Sequence, residues 1–172
     1  MSMPSYTIRP ATLADVDALV HHRLGMFADM GAAIDAEAVG RAFRRWLVEM
    51  MPGGTYRAWV VQTDTDDVVA GAGMAVLPWP PGPQSLDGRI AFAYNVYTET
   101  PHRHRGLGRS LMTAIHEWCR GNGIEAVLLN ASHAGQPLYE SMGYRPTPSP
   151  MMFAALEPLP QPPGLAQRPG FG

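Results

Sequence analysis

Between residues 89 and 130 the chain lays out an apolar strand, a basic turn, a glycine-started helix and a second apolar strand. This succession limits the folds open to it more than any other feature. Arg89 to Thr98 alternates, with Ile90, Phe92, Tyr94, Val96 and Thr98 on one face and Ala91, Ala93, Asn95 and Tyr97 on the other. Both faces are apolar enough to be covered, so this is an interior strand. Gly106 to Arg120 reads as a helix whose buried stripe is Leu107, Leu111, Ile115 and Trp118, closed by Gly121-Asn122-Gly123. Ile124 to Asn130 is then a buried strand. A strand joined to the next through a helix runs parallel to it, which fixes one crossover unit.

The rest of the chain supplies a different pattern. Tyr6 to Ile8 reads as a short strand. Leu13, Val16, Leu19, Val20, Leu24 and Phe27 recur at helical spacing over residues 13 to 29, behind Thr12 as N-cap with Asp15 in the reciprocal position of a capping box. Asp35 caps a second helix with Val39, Phe43, Trp46, Leu47 and Met50 on its apolar side, ended by Pro52-Gly53-Gly54. Tyr56 to Val61 and Val68 to Leu77 form a hairpin across a polar turn, and Gly71 and Gly73 predict a bulge in its second strand. Residues 78 to 88 carry four prolines and form a stiff loop. Gln136 to Met142 is a short helix, and Met151 to Leu156 a last strand. The expected fold is α/β, a mixed, mostly antiparallel sheet with helices on both faces. It is expected as one domain over residues 1–156, followed by a Pro/Gly-rich tail over 157–172.

Composition excludes several chemistries. A single cysteine, Cys119, rules out an internal disulfide framework and any multi-cysteine zinc module; it reads as core rather than nucleophile. All 13 basic residues are arginine, so a Schiff-base lysine and a Walker phosphate loop are absent. A net charge of −2 argues against a nucleic-acid partner, and no apolar run reaches membrane-spanning length. The expectation is a soluble, cytoplasmic protein without nucleic-acid or membrane partners. Gly71-Ala72-Gly73 lacks the third glycine of a dinucleotide fingerprint and leads into more strand. His102-x-His104 has no third ligand near in sequence, so no metal site is assigned.

The chemistry concentrates in Tyr97-Thr-Glu-Thr-Pro-His-Arg-His-Arg-Gly-Leu-Gly-Arg-Ser-Leu111. Unpaired N–H groups at a helix start, with the helix dipole behind them, form an anion site. Gly106 and Gly108 remove Cβ atoms that would hold a phosphate off the backbone, and Arg103, Arg105 and Arg109 add charge beside His102 and His104. The spacing Arg103-x-x-Gly106-x-Gly108 resembles the Arg/Gln-x-x-Gly-x-Gly/Ala signature of the GNAT superfamily of N-acetyltransferases. The run from Asn130 through Tyr139 to Gly143-Tyr144 is similar to the family's later block, and Tyr6 to Ala11 to its first strand.

The resemblance implies acetyl-CoA as the co-substrate. On the same basis its pyrophosphate is held by the segment Arg103, His104, Arg105, Gly106, Leu107, Gly108, Arg109 and Ser110, and its pantetheine arm pairs with Val96, Tyr97 and Thr98 as if with another strand. Asn130 contacts that arm or a nearby water. Tyr139 stands near the thioester sulfur and is the candidate general acid, with Asn130 beside it; packing is its alternative role. The acceptor is a primary amine of a small molecule or a peptide N-terminus, bordered by the first two helices and the 78–88 loop. Met26, Trp79, Tyr94 and Asn95 are the candidate acceptor contacts. Homodimers are a family tendency.

No base stands out. Glu99, His21, His22, Asn95 and Tyr97 are all candidates, and only one of the two adjacent histidines can point inward from a helix. His116 shares a face with Arg109, Thr113 and Arg120 and is expected in solvent. A non-catalytic acyl-CoA sensor is the alternative function. A plain interaction module, in which the two glycines merely make a turn, is a third.

Overall fold

The computed structural model describes residues 5–148, 151, 152 and 154–156. Five strands form one sheet in sequence order: β1 (Tyr6–Pro10), β2 (Tyr56–Thr63), β3 (Val68–Pro78), β4 (Arg89–Thr98) and β5 (Val127–Leu129). The first four pair antiparallel, and β5 joins β4 in parallel. Helices α1 (Val16–Asp29) and α2 (Ala36–Met50) cover one face. Helices α3 (Leu107–Gly121) and α4 (Gln136–Glu140) cover the other. Among the described residues no helix is long and apolar enough to cross a membrane.

Alternation along β2 splits the core in two. Tyr56, Ala58 and Val60 pack beneath α1 and α2 against Val16, Leu19, Phe43 and Leu47. Trp59 and Val61 pack on the opposite face with Leu111, Met112 and Ile115 of α3. Cys119 belongs to that second core, with Sγ 3.7 Å from the Met74 sulfur. The 3-10 turn Leu13–Asp15 that leads into α1 is fixed by a capping box at Thr12. Asp15 accepts the Thr12 N–H at 2.7 Å, takes both ends of the Arg9 guanidinium at 2.8 Å, and is only 5% exposed.

The register of β4 departs from strict alternation. Gly71 pairs with Tyr97 and Gly73 with Tyr94, so two steps on β3 face three on β4. The expected bulge is present, but its extra residue lies on β4, where Asn95 is left-handed at φ 55. After Tyr94 the faces therefore exchange: Val96 joins Ala91 and Ala93 under α3, while Tyr97 faces α1. The β3 glycines serve a different end. A Cβ on Gly73 would lie 2.0 Å from the Tyr56 hydroxyl, and one on Gly71 would lie 3.1 Å from His22 Nδ1. Two rings from the α1/α2 side lie on that bare strip.

The C-terminal part differs from expectation in two places. β5 is three residues long rather than seven: residues 124–126 lie before its first pair, Ala91 with Val127, and Asn130 lies beyond Ala93, the last residue of β4 paired to it. Of the expected strand Met151–Leu156, the described residues lie in no strand, and Met152 and Leu156 are 90% and 93% exposed. Pro146, Pro148 and Pro150 precede it, so every second residue lacks the N–H a ladder requires. Phe153 and residues 157–172, the expected tail, lie outside the described residues.

Two outcomes follow from this packing. Gly73→Ala must displace the Tyr56 ring, and denaturant unfolding should show a loss of about 2 kcal/mol or more. Asp15→Asn should cost about 1–3 kcal/mol at neutral pH. The Arg9 hydrogen bonds hold the Asp15 carboxyl below its ordinary range. Its contribution is thus complete above pH of about 4 and disappears as pH falls through the lowered folded value. Wild type and variant should converge in strong acid, and parallel curves down to that range would remove this account.

Candidate active site

After β4 the chain makes one 3-10 turn over Thr100–His102 and enters α3 at Leu107. His104 and Gly106 are both left-handed, at φ 61 and 79. Left-handed residues in a turn are how a backbone gathers successive N–H groups into a concavity. The amides of residues 104 to 109 donate to no acceptor among the described residues, and Ser110 is the first to be taken, by the Gly106 carbonyl at 3.0 Å. A row of free donors at the positive end of a 15-residue helix is an anion site.

The arginines around it divide by role. Arg103 is committed to the protein: Nε donates to the Thr98 carbonyl at 2.8 Å, Nη2 meets Asp29 at 2.5 Å, and the guanidinium lies over the Tyr97 ring. It ties the loop to β4 and α1. Arg105 and Arg109 are exposed and reach only the Pro101 carbonyl and the Ser141 hydroxyl. Gly106 faces open space, as a phosphate cradle requires, whereas a Cβ on Gly108 would meet Leu138 of α4 at 3.2 Å. The second glycine therefore permits close helix packing. His102 is held by the Tyr6 hydroxyl at 2.9 Å.

Beside this loop the sheet opens. Glu99 donates its N–H to the Val69 carbonyl, so Tyr97 also faces β3, and Val96 and Thr98 turn their polar backbone to the other edge of β4. β5 covers that edge only along Ala91–Ala93. The Val96 backbone thus borders a gap between two strands that were paired two or three residues earlier. Asn130 stands just past the end of β5 on the opposite bank.

Asn130 and Tyr139 line one cavity of about 1030 Å³ with His116 and Tyr144, along the outer side of β5. Val96–Thr98 and the anion loop do not line it. Tyr139 is 8% exposed, its hydroxyl has no partner among the described residues, and burial raises its pKa. It is a protonated phenol at neutral pH. His116, expected in solvent, is half-buried with Nε2 2.7 Å from the Tyr144 hydroxyl, and burial lowers its pKa.

On the α1 side the structure gathers groups the sequence kept apart. His22 points inward at 1% exposure and His21 outward; their Nε2 atoms lie 3.4 and 2.9 Å from the same Glu99 oxygen. Burial pushes His22 down to about 4, so it is neutral at pH 7. Asn95 accepts from Arg23 at 2.5 Å and donates to the Tyr56 hydroxyl at 3.0 Å. Burial drives Tyr56 up to about 12. Tyr94 stacks on Phe92 with centroids 4.7 Å apart, while Met26 is half-buried on α1. Trp79 follows β3 beside the start of β4, the far end of the strand from the anion loop. Sequence reasoning missed Arg23 and Tyr56. The available signal was a charged residue at position 23 within the Val16, Val20, Phe27 stripe.

Comparison with known proteins fits this geometry. The model of the Acetyltransferase (GNAT) family matches residues 25–144. A GCN5-related N-acetyltransferase from Ralstonia eutropha JMP134 is 31% identical, with a TM-score of 0.79 over 87% of this chain and 99% of its own. A protein from Clostridium acetobutylicum described as a predicted acetyltransferase, its crystal structure solved with acetyl-CoA, is 22% identical and has the same TM-score over 87% and 96%. The glucosamine-6-phosphate N-acetyltransferase of Arabidopsis thaliana shares the fold at 18% identity and a TM-score of 0.66 over 89% and 99%. No curated protein matches the chain. A family model spanning more than two thirds of the sequence, and a solved relative covered almost end to end, agree: this chain belongs to the GNAT acetyltransferase family.

Proposed function

We propose that the protein transfers an acetyl group from acetyl-CoA to a primary amine, on a small molecule or a peptide N-terminus, by direct attack on the thioester. The observation that carries this is the unbroken row of free amides at 104–109, set against a strand edge that β5 leaves open beyond Ala93. A pyrophosphate needs the first and an extended amide-bearing arm needs the second. The donor set fits: backbone N–H groups and two exposed arginines for a diphosphate, and the Val96 backbone for peptide-like groups.

Acetyl-CoA supplies an activated acyl group on a good leaving thiol. The protein's part is to position and to move protons. Arg105 and Arg109 add charge-assisted contacts to the amide row. Val96 N–H at the bulge polarises the carbonyl next to Asn95. Tyr139 donates a proton to the departing thiolate; its phenol, kept protonated by burial, is the weaker acid by more than a unit, so the step is modestly uphill. Asn130 orients the arm or a water on the other bank. The amine proton leaves to water, with Glu99 and the two histidines as the nearby polar cluster. Met26, Tyr94 and Asn95 border the acceptor on the α1 side, and Trp79 stands further out on the 78–88 loop. Homodimerisation is carried over from the family alone.

Calorimetry should give saturable acetyl-CoA binding in the micromolar range. The R105Q/R109Q pair should weaken it by about tenfold or more, with a reduced salt dependence. Absence of any saturable heat in the wild type sinks the proposal. Tyr139→Phe should lower kcat by about 10²-fold while leaving acetyl-CoA affinity in place. An unchanged rate at saturating amine returns Tyr139 to packing. Silence across a broad amine panel, despite tight binding of the donor, favours the sensor.

A further inference from the structure

Arg23 is placed where an arginine is costly. Of the charged residues on α1, Asp17 pairs with Arg44 and Asp29 with Arg103, both near the surface. Arg23 instead goes under cover, its guanidinium between the rings of Phe27 and Phe43 at 4.9 and 4.7 Å. Nη1 donates to Asn95 Oδ1. Nε is closed to solvent and bonds to nothing. Nη2 makes no hydrogen bond either, although it is not closed off. No carboxylate among the described residues lies within ion-pair distance, and burial draws the guanidinium's pKa down, opposed only by the nearby Tyr56 hydroxyl.

The surrounding acids are already engaged. Asp15 is held by Arg9, Asp17 by Arg44, Asp29 by Arg103 and Glu37 by Arg41; Asp35 caps α2, and Glu99 lies against His21 and His22. Beside the β4 bulge, Arg23 is therefore left without a carboxylate partner among the described residues. Packing alone does not call for it, since a methionine fills such a slot without the desolvation cost. What an arginine adds is a planar fork. Nε–H and Nη2–H project from one edge of the guanidinium in parallel, and these are the two donors without acceptors. A carboxylate accepts such a pair side-on.

We propose that Arg23 is the carboxylate-binding residue of the acceptor site, so that the acceptor is an amine that also carries a carboxylate, gripped by Nε and Nη2 beside Asn95. The aromatic faces of Phe27 and Phe43 hold the fork flat, and Asn95 fixes its other end. A carboxylate entering as far as Nε supplies the partner that this buried N–H lacks. An ammonium group placed at this fork meets a like charge. That the ligand is the acceptor rests on the acetyl-transfer reading; the carboxylate site itself does not.

The test is equilibrium binding of N-acetylated amino acids and their C-terminal amides to the protein, with and without CoA, read by calorimetry. At least one acid should bind about tenfold or more tighter than its amide. Arg23→Gln should abolish that preference, and Arg23→Lys, which keeps the charge and loses the fork, should retain only part of it. Acids and amides binding alike to the wild type, or no binding by any member of the panel, overturns the proposal without recourse to a variant. So does an R23Q protein, folded by circular dichroism, that still prefers the acid. Acetyl-CoA binding is measured on the same samples. Its failure with the acid preference intact removes the acetyl-transfer reading and leaves the carboxylate site; the reverse removes the site alone.

Discussion

One residue inserted into β4 organises the molecule. Where Asn95 takes a left-handed conformation, the strand stops running beside β5, the faces of its side chains exchange, and the Val96 backbone is left facing a gap, with the Thr98 carbonyl beyond it taken by Arg103. A buried strand edge with no partner is normally a liability. Here it opens next to a helix start whose amides are equally unpaired. Two unsatisfied features side by side in a well-packed fold are the mark of a place kept for something else to bind.

The bulge is expensive and its surroundings hold it. Asn95 is fixed from both sides, by Arg23 through one amide atom and by Tyr56 through the other. Tyr56 can lie there because Gly73 has no side chain, and the Tyr97 and His22 rings fill the neighbouring space with centroids 5.3 Å apart. α1 thus does more than cover one face. Through Arg23 and His22, α1 joins Tyr56 of β2 in the shell that surrounds the bulge.

Much of this was legible in the sequence. The helices, the hairpin and the crossover were written in apolar spacing, and the anion loop in two glycines among arginines. The caps at Thr12 and Asp35 were readable because hydrogen bonds within three residues define them. What escaped were facts that depend on two distant elements at once. Gly71 and Gly73 signalled a bulge, but the extra residue lies on β4, while the two glycines make room for the Tyr56 ring of β2 and the His22 ring of α1. His116 lay on a polar helix face and was covered by Tyr144, 28 residues further on. The apolar run after residue 150 had strand composition, yet the prolines before it govern whether the chain can reach a ladder. Arg23 was visible only as an irregularity in a stripe.

The near contact between α3 and α4 has a mechanical side. With no side chain at 108, the first turn of α3 sits against Leu138, and Arg109 reaches across to Ser141 at 2.5 Å. Tyr139 is the next residue along from Leu138. The turn that carries the free amides and the turn that carries the lone phenol therefore abut, and a side chain added at 108 would press on the second from the first.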